Sequence, residues 1–371
     1  MTDQQTTSSG AAQFLKELWQ ETRKVSLGLF KIMIPVVIVT KILATLGIIP
    51  YLGVAVSPVM RLVGLPGELG LVWATAMVTN LYGGLAVYGT VAAGLDLSVA
   101  QITTLTTLML FAHGLPVELR IAQKAGPRAR FILPLRIGTA LAFGIIFSHA
   151  CRAAGILQQA STALWQPPPS QDGWLNWGLG QFKNLGTIFL IILVLVFVLK
   201  ILARLGVSRW LTRLLRPLLR LMGMSEAAAP ITVVGMTLGL SYGGGLIIEE
   251  SRSGRLGRQD VLSSVALMSI CHSLIEDVLL MMAVGGHQLG VLWGRAVLSI
   301  IIVAIVARVI ARLPEATIQR HFFRAPVPVI PVTCRNTGRS CASSSRSAAP
   351  SGTCRSGSSC SDPSSTHRWG R

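Results

Sequence analysis

Apolar residues in this chain fall in long blocks rather than in alternation, and the polar chemistry is kept at the breaks. Ile34 to Val54 is broken only by Lys41, and Leu185 to Leu199 carries no charge. Each approaches the roughly 20 residues that a membrane-spanning helix needs. Ahead of the first block, Phe14, Leu15, Leu18 and Trp19 recur at helical spacing, with Lys16, Glu17, Glu21, Arg23 and Lys24 elsewhere around the wheel. This predicts an interfacial helix over 14–27 that leads into a span from about Leu29 to Ile49. A short connecting helix from Pro50 to Gly64 follows, then an apolar stretch from Gly67 to Ala93 interrupted by Tyr82-Gly83-Gly84. Val99 to Ile121 is a further apolar run that holds His113 and Glu118, and Phe131 to Ala150 is another span. Trp165 to Trp177 contains three consecutive prolines and three tryptophans, so it reads as an interfacial linker rather than a helix interior.

After the linker the order repeats. Lys41-Ile42-Leu43-Ala44 returns as Lys200-Ile201-Leu202-Ala203, an offset of 159 residues. Pro58, Arg61 and Gly64 return as Pro217, Arg220 and Gly223 at that same offset, and Tyr82-Gly83-Gly84 as Tyr242-Gly243-Gly244 at 160. His113 and Glu118 return as His272 and Asp277, again at 159. Leu, Ala and Gly coincide cheaply in apolar helices. A Lys, a Pro, an Arg, a Tyr-Gly-Gly and a His in the same order do not, so an internal duplication is expected. The expected divisions are 1–27 (polar start and interfacial helix), 28–157 (first repeat), 158–183 (linker), 184–312 (second repeat) and 313–371 (Ser/Arg-rich disordered tail, read from about Pro331 onward as an unselected extension).

Composition places the chain in the membrane class, with 51% apolar and 13% charged residues over 371 positions. The polar first 13 residues and the long first apolar run argue for a retained span rather than a cleaved signal peptide. The net charge of +18 orients the chain in the bilayer; few aromatics interleave with the basic residues, so no nucleic-acid partner is expected. If every apolar stretch crossed once, the basic loops at 120–130 and 204–220 would face outside. If each Tyr-Gly-Gly stretch is a re-entrant hairpin, each half crosses three times and all basic segments lie inside. The expected fold is therefore an all-α polytopic membrane protein of two inverted repeats. Each repeat has three spanning helices, an in-plane helix and a Gly-containing hairpin. Arg209, Arg213, Arg216 and Arg220 share one face of the second in-plane helix, which suits lipid phosphates. The chain is expected in the inner membrane with both termini cytoplasmic. Its six cysteines include no CxxC pair, and no hydrolase triad, phosphate loop or dinucleotide fingerprint is present, so neither a zinc-thiolate site nor an enzyme is expected.

The candidate chemistry sits in Cys271-His272-Ser273-Leu274-Ile275-Glu276-Asp277 and in His113 to Glu118. An acid inside hydrocarbon costs roughly 2.5–3.5 kcal/mol on insertion scales, so such groups are turned toward protein or water and used. On a regular helix His272 and Glu276 are neighbours. His113 and Glu118 are not, but Gly114 and Pro116 can break the helix between them. Histidine titrates near neutrality, so the cluster suits a coupling proton or cation. The competing readings are a structural ion pair tying the halves, close helix packing at Tyr-Gly-Gly, and a metal path through Cys271 and His272. Glu68 and Glu226 read as first-turn acids, and Glu249-Glu250 with the arginines after it as a cytoplasmic loop.

Span, in-plane helix, Gly hairpin and two spans, occurring twice, resembles the nucleoside recognition or gate domain over roughly residues 28–312. That family includes spore maturation proteins A and B, the membrane part of ferrous-iron transporter B and the core of concentrative nucleoside transporters. The resemblance implies a permease for a small molecule or ion, nucleoside-like in class, with no fixed cofactor. Its binding residues would be Asn80, Tyr82, Gly83, Gly84, His113 and Glu118 in one half, and Tyr242, Gly243, Gly244, His272, Glu276 and Asp277 in the other. It leaves open a non-transporting assembly role, a divalent-metal permease, and a homo-oligomer or partner membrane protein. No G-domain precedes the membrane part, unlike the iron transporter.

Overall fold

The computed structural model describes residues 3–92, 95–161 and 173–324. No strand occurs among the described residues, only isolated bridges at Ser98–Ala160 and Pro127–Phe323. The first helix, α1 (Asp3–Thr45), is continuous, so the expected interfacial segment and the first span are one element. Between Phe14 and Ile34 there is no proline, and the single glycine, Gly28, lies in open space, so nothing interrupts the backbone ladder. The helix closes at Gly47, whose φ of 67° is left-handed, and α2 (Ile48–Leu62) departs from there. The same event recurs after α8 (Trp174–Arg204), where Gly206 at φ 71° starts α9 (Val207–Leu221). Glycine adopts this conformation without the Cβ penalty, and the two positions keep the offset of 159.

Each of these pairs leads into the same series. A tight helical hairpin is formed by α3 (Leu69–Val78) with α4 (Leu81–Val91), and by α10 (Ala228–Leu238) with α11 (Leu240–Ser253). A broken helix follows, α5 (Val99–Phe111) with α6 (Leu115–Ala125), and α12 (Arg258–Ile270) with α13 (Glu276–Ala283). Each series ends in a long helix, α7 (Ala129–Ala153) or α14 (Arg295–Ala311), the latter entered through the π-helical turn Leu289–Gly294. Four helical stretches are long and apolar enough to cross a membrane: Ala12–Thr45, Ala129–Ala153, Trp174–Leu202 and Leu289–Ala311. The α5–α6 pair, bent by 40°, makes a fifth. The α12–α13 pair occupies the matching place in the second series, with a longer break, residues 271–275, between its two helices.

Large apolar side chains such as Val39, Val194, Ile301 and Ile305 are exposed on α1, α8 and α14, while Thr103, Thr104, Thr107, Ser263 and Ser264 are buried. That inside-out distribution belongs to a protein solvated by lipid. The chain is a multi-pass membrane protein. Helices α1 and α8 run antiparallel: Phe14 meets Phe197, Trp19 meets Phe189, and Lys41 lies over Trp177. Near the other end of α8, Lys200 reaches Glu21 at 2.8 Å.

Several expected boundaries move. Helix α8 starts at Trp174 and takes in the last part of the expected linker; past the three prolines, no proline interrupts it. Residues 162–172 lie outside the described residues. The segment 313–324, expected to be disordered, is docked: the Arg128 N–H donates to the Phe322 carbonyl and the Arg324 N–H to that of Gly126, both at 2.8 Å. Phe322 also packs its ring on Phe131. The tail from 325 lies outside the described residues. Glu249 and Glu250 are helical, within α11, and Glu250 accepts Arg255 at 2.6 and 2.7 Å. Glu68 precedes α3, and Glu226 pairs with Arg220. On α9, Arg213, Arg216 and Arg220 are exposed while Leu219 is buried; the Arg209 side chain lies outside the described set.

The Tyr-Gly-Gly stretches are not the hairpin tips. The chain turns at Thr79-Asn80, where the Asn80 side chain accepts the Gly83 N–H at 2.9 Å and so caps α4. In the second hairpin it turns at Gly239, φ 88°. The glycines serve close approach instead. A Cβ at Gly243 falls 2.2 Å from Gly235 Cα, whereas one at Gly245 meets nothing within 4 Å. Gly243→Ala is expected to lower the unfolding midpoint in detergent, a loss of about 1–3 kcal/mol from overpacking. Gly245→Ala should leave it unchanged or raise it slightly. Equal effects at the two positions would contradict the packing assignment.

Candidate functional site

The two broken helices meet at their breaks. After α5 the chain passes through Ala112, His113 and Gly114, whose left-handed φ of 55° redirects it into α6 with Pro116 in the first turn. After α12 it passes through Cys271, His272 and Ser273, and Ser273 takes φ 48°, a conformation costly for a residue with a Cβ. Gly114 and Ser273 are 159 apart. Each break is tied to the adjacent hairpin: the Gly114 N–H donates to the Ala76 carbonyl and the Leu274 N–H to that of Met236, both at 2.9 Å. Backbone freed by breaking a spanning helix is thereby paired again.

Both histidines are held in the same way. His113 Nδ1 lies 2.8 Å from the Met109 carbonyl and His272 Nδ1 2.8 Å from that of Met268. Their rings approach to 5.1 Å between centroids. Glu118, at the start of α6, receives both: its Oε1 is 3.2 Å from His113 Nε2 and 3.4 Å from His272 Nε2. Its Oε2 accepts Arg136 from α7. Asp277 joins the group, for donor atoms of His113, His272 and Asp277 all lie within 4.8 Å of one another. All five side chains are buried, with Arg136 fully so.

The break changes one pairing read from the sequence. His272 and Glu276 are not helix neighbours, because the helix is interrupted between them; the carboxylate that His272 meets is Glu118, from the other series. Glu276 is half-buried at the start of α13 and forms no ion pair among the described residues. Tyr82 is buried in the first turn of α4, within electrostatic reach of Glu276 and Asp277. Asn80 serves its own helix, and Gly83 and Gly84 fit against Thr79 and against Ala76 and Met109. Gly243 packs on Gly235 and Gly244 is buried, while the Tyr242 side chain lies outside the described set. A cavity of about 330 Å³ lies elsewhere, lined by Gly64, Asp96, Ser98, Gln101, Ser148 and Arg152.

Two residues escape the sequence reading: Arg136 on α7 and Arg295 at the start of α14, both fully buried. They too are 159 apart, and that spacing is the signal that would have found them. Each donates its Nε to the last carbonyl before a break, Arg136 to Phe111 at 2.9 Å and Arg295 to Ile270 at 3.2 Å. They differ beyond that. Arg136 also grips Glu118, whereas Arg295 turns its Nη2 to the carbonyls of His272 and Leu110.

A lipid-facing helical bundle wrapped around paired broken helices, with an ionic cluster where they meet, defines a polytopic membrane protein with a buried polar centre. The Gate family, described as nucleoside recognition, matches residues 26–128, from within α1 into the start of α7's approach. The chain is also similar to "Uncharacterized membrane protein YvoD" of Bacillus subtilis (strain 168), 30% identical over 263 residues, which are 69% of this chain and 81% of that protein. No solved structure matches. The chain belongs to the nucleoside recognition (Gate) family of membrane proteins.

Removing one partner of a buried ion pair strands the other charge, at a cost of about 3–5 kcal/mol. Arg136→Met is therefore expected to lower the unfolding midpoint sharply, and Arg136→Met with Glu118→Gln to recover much of the loss, as read from thermal unfolding in detergent. Additive losses in the double variant would show that the pair does not act as a unit.

Proposed function

We propose that this protein is a membrane transporter or gated permease for a small polar solute, which passes where the two broken helices meet. The observation that carries this reading is the pairing of His113 with His272: residues 159 apart, each at a helix break, share one carboxylate oxygen of Glu118. Ionisable groups at membrane depth are retained where solutes, ions or protons move. Broken helices are how secondary transporters present backbone and charge to their cargo. Tyr82, Glu276 and Asp277 border the same cluster and complete the proposed binding region. The family description, nucleoside recognition, supports a nucleoside-like solute class.

The proposal includes inverted topology. Corresponding helices α1 and α8 lie antiparallel, as oppositely oriented repeats require. The basic segments around Lys124 and along α9 then share the cytoplasmic side of an inner membrane, together with both termini. Cysteines introduced near Lys124 and near Arg213 should react with an impermeant thiol reagent from the same side; labelling from opposite sides would exclude inverted repeats.

The transport assignment is tested by reconstitution. Purified protein in liposomes should take up a member of a panel of nucleosides, amino acids and divalent metal ions, and His272→Ala and Asp277→Asn should each slow that uptake at least about tenfold. Undiminished uptake by both variants would remove the cluster from the path. A protein that moves nothing while remaining folded would favour the assembly role that the spore maturation relatives represent.

A further inference from the structure

The two imidazoles are fixed in one tautomer. A carbonyl oxygen only accepts, so the Nδ1 atoms facing Met109 and Met268 at 2.8 Å must carry the protons they donate. In a neutral ring, Nε2 then offers a lone pair. Both Nε2 atoms are directed at Glu118 Oε1, at 3.2 and 3.4 Å, and that carboxylate is engaged on its other side by Arg136. Three acceptors therefore converge on one point. Two imidazolium ions with ring centroids 5.1 Å apart would satisfy the carboxylate but repel each other. One cation shared among the three atoms satisfies all of them.

Asp277 indicates which cation. It corresponds in the repeat to Glu118, but its matching arginine, Arg295, is turned to carbonyl oxygens, and no ion pair among the described residues includes Asp277. Its carboxylate stands beside the two histidines, with donor atoms of all three within 4.8 Å. Two imidazole nitrogens and carboxylate oxygen suit zinc and its first-row neighbours better than magnesium, calcium or an alkali ion. Bonds of 2.0–2.1 Å in a tetrahedral site put neighbouring ligands about 3.3 Å apart, so the donor atoms of His113, His272 and Asp277, within 4.8 Å of one another, need only close inward around an ion. An Nδ1–H pinned to a carbonyl is also the usual outer support of a metal-bound histidine.

We propose that His113 Nε2, His272 Nε2 and the Asp277 carboxylate bind one divalent first-row metal ion, with the Arg136-held Glu118 facing the two imidazoles beside it. Its ligands come from both breaks, so binding joins the two repeats. Glu118 already faces Arg136, and Arg295 lies buried at the second break, so the ion adds its own charge to a centre whose carboxylates and guanidiniums are equal in number. That favours exchange over permanent capture, as an ion in transit requires. The passage of the ion rests on the permease reading. Its binding does not, and is measured apart from flux.

The test is titration of the purified full chain in detergent with Co²⁺, followed by its visible d–d absorption, and with Zn²⁺, followed by the unfolding midpoint. The expected result is one Co²⁺ per chain, displaced by Zn²⁺, and a midpoint raised by Zn²⁺. Asp277→Asn keeps the side-chain shape and His272→Ala removes a ligand; each should weaken Co²⁺ binding at least about tenfold. Cys271→Ser should bind as the parent does. Absence of the band in the folded parent, or equal binding by parent and Asp277→Asn, overturns the proposal. Loss of binding in Cys271→Ser would reassign the ligands and overturn it as well. Metal binding without flux would leave the site standing and remove the permease, whereas uptake of an organic solute without metal binding would do the reverse.

Discussion

One buried carboxylate holds the centre of this protein together. Glu118 is engaged by an arginine from α7 and by a histidine from each broken helix, inside a body whose outer surface is apolar. Burial takes away most of the water that would stabilise its charge, so the protein supplies partners, and each partner fixes the position of another element. Arg136 brings α7 against the first break through the Phe111 carbonyl. His272 brings the second break to the first. The geometry of the bundle interior follows from satisfying one acid.

The breaks themselves follow from the same rule applied to backbone. A spanning helix cannot be interrupted in hydrocarbon unless its freed N–H and C=O groups find partners. Here the hairpin α3–α4 supplies the Ala76 carbonyl to one break, and α10–α11 supplies the Met236 carbonyl to the other. The arginines take the carbonyls of Phe111 and Ile270. Hairpins and arginines are thus the support that lets two helices stop, present a histidine and start again. The glycines of the hairpins act at one remove, by letting α10 and α11 lie close enough to reach.

The two halves differ in how their acids are held. The first spends its arginine on its acid; the second spends it on carbonyls and leaves Asp277 beside the imidazoles. Aspartate is one methylene shorter than glutamate, which is consistent with Arg295 closing on backbone rather than on the carboxylate. A symmetric pair of salt bridges would be a rigid tie between repeats. The unequal pair keeps one acid bound and one disposed toward the histidines.

The blocks of apolar residues and the offset of 159 determined a great deal by themselves: a helical membrane protein, its element order, and His113, Glu118, His272 and Asp277 as the polar centre. These were legible because hydrocarbon punishes every misplaced charge, so position along the chain already encodes environment. The repeat held Arg136 and Arg295 as well, but nothing in a single arginine within an apolar helix tells whether it meets a headgroup, a carboxylate or a carbonyl. The bounds of α1, of α8 and of the docked segment beyond residue 312 differ from those expected, because Gly28, Gly173 and Pro314 do not by themselves say whether a helix stops there and tertiary packing decides. The tertiary structure alone decided that His272 answers to Glu118, 154 positions away, and not to Glu276 four positions on. A helix break rotates everything after it, and no local periodicity survives the turn to report which side chains will meet.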